Sequence, residues 1–219
     1  MTFVIRALPG IVMEFRMGRM VMKQMFIAVS LLLAFCVGCD EGQDRQLPQD
    51  RQLRDGTKLF GTRTLKDGTE NTDRVELPNG KKEFDVTELP DGTMKAGRIE
   101  LANGEKQFDV TRLSDGTQQV GRAELPSGEK KFEVTISPDG TEKAGRIEFL
   151  NGAKKFDVTR LPNGTEKAGR VELPSREKYF DLTALPDGTV KIGRIELPNG
   201  MKRFDVTILP DGTVKGRGR

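Results

Sequence analysis

The sequence predicts an all-β protein: an antiparallel meander of 24-residue β-hairpin repeats that forms a curved single-layer sheet or roll of about 13 strands. Phenylalanine recurs every 24 residues, and turn dipeptides such as Asp55-Gly56 and Asn79-Gly80 recur every 12. Such dipeptides favour hairpins because Asn and Gly accept positive φ. The eight residues between turns suit a strand and are too few for a stable helix.

Residues 1–38 have the features of a secretory signal. Basic residues precede an apolar run from Met25 to Gly38, which is too short to span a bilayer comfortably. Met22 is a second candidate start, in which case residues 1–21 are a misread upstream start. Removing residues 1–38 takes away four basic residues and one acidic residue, so the formal charge falls from +3 to zero. We therefore expect no nucleic-acid partner.

The residues that end this segment, Val37-Gly38-Cys39, resemble a bacterial lipoprotein box, with Cys36 in place of the usual leucine. The resemblance implies that Cys39 is lipidated and that the protein is exported and anchored in the bacterial cell envelope, facing the periplasm or the cell surface. Residues 39–52 are then the lipidated cysteine and a polar tether, because they show no apolar periodicity. The hairpin-repeat domain covers residues 53–219.

Charge matching across neighbouring strands predicts their register. A two- or four-residue loop places Phe108 opposite Ile99, and Asp109 between Arg98 and Arg122. We prefer it to a three-residue loop, which we expect to bring like charges together, because each cross-strand pair of opposite charge contributes about 0.2–1 kcal/mol. One face then carries a structural ion ladder: Arg98, Asp109, Arg122, Glu133, Arg146, Asp157, Arg170, Asp181, Arg194 and Asp205.

The opposite, concave face carries an apolar ladder whose phenylalanines are the candidate interaction residues: Phe84, Phe108, Phe132, Phe156, Phe180 and Phe204. Two interpretations of this ladder stay open. It is either a core formed when the sheet curls, or a groove for a hydrophobic partner, since a large contiguous apolar patch usually marks an interaction site.

Residues 53–215 resemble the MORN class of repeats and its bacterial relatives, whose units of about this length form consecutive hairpins. The resemblance implies a hairpin array that serves as a scaffold or binding surface. The sequence departs from the MORN pattern because it has no tryptophan, a single tyrosine (Tyr179), and phenylalanine at the aromatic position. It therefore carries over no lipid-binding or catalytic residue.

The chain lacks the residue types that most catalytic sites require. It contains no histidine, and cleavage before Cys39 leaves no free cysteine. The serines at 114, 127, 137 and 175 fall in or beside turns. The acidic row could also be read as calcium ligands or glycosidase acids, but each aspartate already has two predicted arginine neighbours. We predict no enzyme activity, metal or cofactor.

The sequence as a whole predicts a non-enzymatic, envelope-anchored repeat lipoprotein that acts as a scaffold or protein-interaction module. The partners implied are the membrane, through the lipid anchor, and a protein whose identity the sequence does not reveal. The alternative is a ligand-binding lipoprotein that holds a lipid or a glycan on the curved sheet surface.

Overall fold

The computed structural model describes residues 2–6, 12–16 and 47–218, and every regular element there is a β-strand. The strands are β1 (Thr2–Arg6), β2 (Val12–Arg16), β3 (Gln49–Gln52), β4 (Lys58–Thr64), β5 (Glu70–Glu76), β6 (Lys82–Glu88), β7 (Met94–Glu100), β8 (Lys106–Arg112), β9 (Gln118–Glu124), β10 (Lys130–Ile136), β11 (Glu142–Glu148), β12 (Lys154–Arg160), β13 (Glu166–Glu172), β14 (Lys178–Ala184), β15 (Val190–Glu196), β16 (Lys202–Ile208) and β17 (Val214–Gly218).

Strands β3 to β17 form one antiparallel sheet in which every strand pairs with its neighbours in the chain. The all-β meander of hairpins is therefore confirmed, with 15 strands in the sheet. One of the additional strands, β3, lies in the segment predicted as a tether. Separately, β1 and β2 form a two-stranded antiparallel hairpin. Apart from these two strands, the predicted signal and Cys39 lie outside the described residues.

The turns share one geometry, in which three residues separate the last paired positions. After β6, for example, the Gly92 N–H donates to the Leu89 carbonyl at 2.9 Å, and the Leu89 N–H donates to the Thr93 carbonyl at 2.8 Å. Pro90 favours the first bend through its fixed φ, and Gly92 adopts φ +82°. This is a type I turn followed by a left-handed residue, the usual three-residue hairpin loop.

This loop overturns the predicted register. Phe108 lies opposite Arg98 and Arg122, one residue away from the predicted partners, and Glu100 lies opposite Lys106. The like-charge pairing that argued against a three-residue loop therefore does not arise. A one-residue slip moves side chains to the other face of a sheet. The two-ladder arrangement with phenylalanine and arginine on opposite faces is consequently wrong.

Each even-numbered strand from β4 to β16 changes the direction of its side chains near its middle. The residue at that point has a φ between +50° and +68°: Gly61, Asp85, Asp109, Glu133, Asp157, Asp181 and Asp205. In β8, Gln107 and Val110 are both buried although they are three residues apart. Regular strand alternation would put them on opposite faces, so Asp109 reverses the phase. We call the line of these residues across the sheet the crease.

The core lies along the crease, on what we call the inner face. Buried side chains from both sides of the crease form one hydrophobic cluster, in which Ile147 is 0% and Val110 is 1% exposed. The Nζ atom of Lys131 lies 2.8 Å from Oε1 of Glu142. The backbone of Lys131 pairs with Ile147, five residues from Glu142 along β11. The crease therefore brings the two halves of the strands together, and they enclose the core.

Candidate functional site

The outer face, opposite the core, carries a continuous column of alternating phenylalanine and arginine side chains. Cross-strand pairing places each interior phenylalanine between two arginines, as with Phe108 between Arg98 and Arg122. We name this set the Phe–Arg column: Phe60, Arg74, Phe84, Arg98, Phe108, Arg122, Phe132, Arg146, Phe156, Arg170, Phe180, Arg194 and Phe204. It contains all six phenylalanines predicted as an interaction face and adds the arginines, which the register error had placed elsewhere.

Each guanidinium group in the column lies over the phenylalanine ring of the preceding strand. The distance from the guanidinium carbon to the ring centroid is 4.0–4.4 Å in all six of these pairs. This is well within the range of cation–π attraction. The column is therefore a series of Phe·Arg units. Its rings are half-buried, and its arginine side chains are 40–45% exposed.

The arginines of the column form ion pairs with glutamates on the same strand, not with the aspartates of the predicted ion ladder. Arg98 Nε lies 3.4 Å from Glu100 Oε1, and the other five arginines repeat the contact at 3.4–3.5 Å. Five of the six Nε atoms are buried without a hydrogen-bond partner, so these contacts are ion pairs and not aligned hydrogen bonds. Pairs this exposed contribute about 0–1 kcal/mol each. The predicted ladder is wrong in its pairing.

The carboxylates of that predicted ladder lie at the crease instead. Asp109 adopts φ +53° and sits against Gly121 on the next strand, where an added Cβ would lie 3.1 Å from the Asp109 Cβ. Glycine is needed opposite the acidic residue because any side chain would crowd it. The first hairpin inverts the pair: Gly61 takes the left-handed conformation, and Asp73 lies against it. The acidic row therefore shapes the sheet.

Cations outnumber carboxylates on most of the outer face. The hairpin β11–β12 places Lys143, Arg146 and Lys154 there, against Glu148 and Asp157. The hairpins β7–β8, β13–β14 and β15–β16 repeat this ratio of three to two. The column thus runs through a cationic surface.

A second group of charges closes the inner face between β10 and β13. Lys155 Nζ donates a hydrogen bond to Glu166 Oε1, and Arg160 Nε donates to Glu166 Oε2 at 2.8 Å. Burial opposes the charged form of Glu166, but Lys155 and Arg160 outweigh it and hold the pKa of Glu166 below its ordinary value. Burial likewise opposes the charge on Arg160, yet Glu166 and then Glu142 raise its pKa. These ion pairs cover the core and have a structural role. We call such a pair of side chains across the inner face a closure.

The remaining predicted features give no further site in the described residues. Ser127 Oγ accepts a 3.4 Å hydrogen bond from the Glu129 N–H in a turn. Within residues 2–6, 12–16 and 47–218, no three side chains of metal-ligating type come together. The same part of the chain contains no helix that is long and apolar enough to cross a membrane.

No family model matches the chain, and no curated protein matches it. Among solved structures, it is similar to the TCP10c domain of Drosophila melanogaster Sas-4, with 20% identity, 72% of this chain and 98% of that chain covered, and a TM-score of 0.29. It is also similar to the Sas-4 TCP domain in complex with a proline-rich motif of Drosophila Ana2 (19% identity, 85% and 99% covered, TM-score 0.30). A third similar structure is the TCP10 domain of Danio rerio CPAP in complex with a peptide of Danio rerio STIL. The identity is 19%, 78% of this chain and 99% of that chain are covered, and the TM-score is 0.22. At these TM-scores the likeness carries no argument.

Proposed function

We propose that this chain is a non-enzymatic protein-interaction module, built from hairpin repeats and held at the bacterial cell envelope by a lipid on Cys39. The Phe–Arg column is the observation that carries the proposal. The core is closed by other side chains on the inner face, so the phenylalanines are not needed to cover it. Aromatic residues and arginine are the types enriched in protein interfaces.

The size and regularity of the column support an extended partner. It crosses thirteen consecutive strands, β4 to β16, which span about 60 Å at roughly 4.8 Å per strand. Cation–π pairs at exposed sites contribute about 0.5–1 kcal/mol each, so the column also stabilises the sheet. A half-exposed, repetitive surface of this length suits a scaffold that contacts its partner at several equivalent positions.

A photo-cross-linking experiment tests the interaction surface. Benzoylphenylalanine placed at Phe132, in the middle of the column, should give a discrete protein adduct in intact cells. The same probe at Asn103, an exposed turn residue outside the column, is the matched control and should give none. Adducts of equal yield from both positions, or from neither, would contradict the proposed surface.

The lipid anchor is tested separately by palmitate labelling. The wild-type chain should incorporate the label, whereas the Cys39→Ala variant should not, because the thiol is the acylation site that the lipoprotein box implies. Equal labelling of both chains would remove the anchor from the proposal while leaving the interaction surface intact.

A further inference from the structure

Building on the proposed function, we propose that the Phe–Arg column binds an acidic, proline-rich segment in the polyproline II conformation. The segment would lie along the column, across the strands, and place one carboxylate per helical turn on each arginine: Arg74, Arg98, Arg122, Arg146, Arg170 and Arg194. Prolines would fill the two other positions of each turn, and one of the two would pack over the half-buried ring.

The repeat distance of the column points to this conformation. One Phe·Arg unit occupies two strands, so the units repeat at about 9.6 Å. Polyproline II rises about 3.1 Å per residue with three residues per turn, which gives a repeat of about 9.3 Å. Across six units the two repeats diverge by roughly 2 Å, which is less than one residue. An extended strand repeats at about 6.6 Å and an α-helix at about 5.4 Å, and neither matches.

The charge of the face indicates an acidic ligand. The buried Nε of most column arginines already lies beside a glutamate, so the exposed part of each guanidinium presents its Nη atoms outward. Guanidinium groups bind carboxylates through such paired donors. The excess of lysine and arginine on the outer face favours a ligand of negative charge. A second copy of this chain would bring two cationic faces together and is therefore disfavoured.

Other polyanionic partners fit the column less well. Adjacent strands in a sheet are rotated by about 20–25°, so a column that crosses thirteen strands turns steadily. A flat membrane surface could contact the whole column only if all of it faced one plane. Each strand of duplex DNA carries a charge about every 3.4 Å, so every third charge repeats at about 10.2 Å and diverges from the column by about 4 Å over six units, twice as much as polyproline II, while the other two charges of each three meet no arginine. A single polyproline II segment is one chain wide and contacts the column once per turn, so it can coil gradually along the twist.

The period of the ligand is the decisive test. Fluorescein-labelled (Glu-Pro-Pro)6 and (Glu-Pro)9 have the same length, but the second carries more carboxylates at the wrong spacing. We expect the full chain to bind (Glu-Pro-Pro)6 at least tenfold more tightly in fluorescence anisotropy, and (Gln-Pro-Pro)6 not measurably. Equal or tighter binding of (Glu-Pro)9 would overturn the proposal, because binding would then follow charge alone.

Variants of the chain locate the site and count its units. Arg122→Gln, Arg146→Gln and Arg170→Gln combined should weaken (Glu-Pro-Pro)6 at least thirtyfold. Removing three turn cations instead, with Arg54→Gln, Lys66→Gln and Arg176→Gln, should change it less than threefold. Melting curves of both variants show whether they are folded; a folded column variant with unchanged affinity would overturn the site.

A deletion of residues 118–141 removes one unit in phase. Affinity should rise with each added Glu-Pro-Pro triplet and level off at six triplets for the full chain and five for the deletion variant. An unchanged plateau would contradict the one-turn-per-unit arrangement. Should every peptide fail while the Phe132 cross-link persists, the ligand class proposed here is wrong and the interaction surface stands. Loss of both peptide binding and the Phe132 cross-link would contradict both the ligand class and the interaction surface.

Discussion

On the inner face, ion pairs cover the core in the middle of the array, and apolar side chains cover it in the following hairpin. Lys155 and Glu166 meet across the crease, and Lys131 and Glu142 repeat the contact one hairpin earlier. The positions equivalent to Lys155 and Glu166 in the following hairpin, 24 residues later, are Tyr179 and Val190, both buried. Both sets of side chains cover the core beside the crease, so the crease, and not the chemistry of the pair, determines which positions do so.

In the apolar closure, the one polar atom, the hydroxyl oxygen of Tyr179, has a hydrogen-bond partner. The Tyr179 hydroxyl donates a 2.6 Å hydrogen bond to Oε2 of Glu177, which immediately precedes β14. Burial, and then the hydrogen bond and charge of Glu177, raise the pKa of Tyr179 well above its ordinary range. Tyr179 therefore stays neutral at every physiological pH. The central closure depends on three ionised side chains: Lys155, Arg160 and Glu166.

The largest expected effect comes from the core beneath the two closures. Ile147 and Ile195 are equivalent positions, and they are 0% and 8% exposed. Ile147→Ala should lower the free energy of unfolding by about 3–5 kcal/mol, and Ile195→Ala by about 2–3 kcal/mol, because the more enclosed site leaves the larger cavity. Urea unfolding measures both. A smaller loss at Ile147 would mean that the ionic closure covers the core less well than the apolar one.

Exchanging one closure for the other is expected to have the next largest effect. Glu166→Val alone should destabilise by about 1–3 kcal/mol, because it removes the buried carboxylate that both Lys155 and Arg160 contact. Adding Lys155→Tyr recreates the apolar pair, and the double variant should recover most of the loss, since replacing buried ion pairs by packed apolar groups is often neutral or better. A double variant less stable than the single one would show that the two closures are not interchangeable.

The smallest effect is the dependence of the ionic closure on pH. The pKa of Glu166 is lowered in the folded chain, so its contribution is complete above the ordinary glutamate value of 4.5. Below that value the unfolded chain binds a proton that the folded chain does not, and stability falls as pH drops through the folded pKa. The double variant Lys155→Tyr, Glu166→Val should lose less stability between pH 6 and pH 3 than wild type. Parallel profiles would contradict the role of Glu166.

The hairpins could be predicted because each 12-residue segment carries its own turn residues, and these recur at a constant spacing. Leu-Pro-Asp-Gly between short segments specifies a bend wherever it occurs. The register could not be obtained by matching charges, because Glu148 can be matched with Lys130 or with Lys131, one residue apart. The three-residue loop selects Lys130.

The crease is indicated only weakly by the amino-acid sequence. Buried residues three apart, such as Ala96 and Ile99, break the period of two expected for a strand. The exchange of Gly61 and Asp73 in the first hairpin also marks two positions that must accommodate each other. The left-handed conformation of Asp109 has no such local signature, because aspartate also occupies the turns of this chain, as at Asp91, and Glu133 takes the equivalent position in β10.

The last strand shows how the array tolerates a change in length. One residue is missing before Arg217, and a bulge between Phe204 and Thr207 restores the pairing of Phe204 with Arg217. The irregularity is absorbed at an edge strand of the described sheet, β17, which pairs with β16 alone. Inside the sheet the same loss would put every later strand out of step. A change in length by a whole 24-residue unit, in contrast, would keep every later strand in phase with its neighbours.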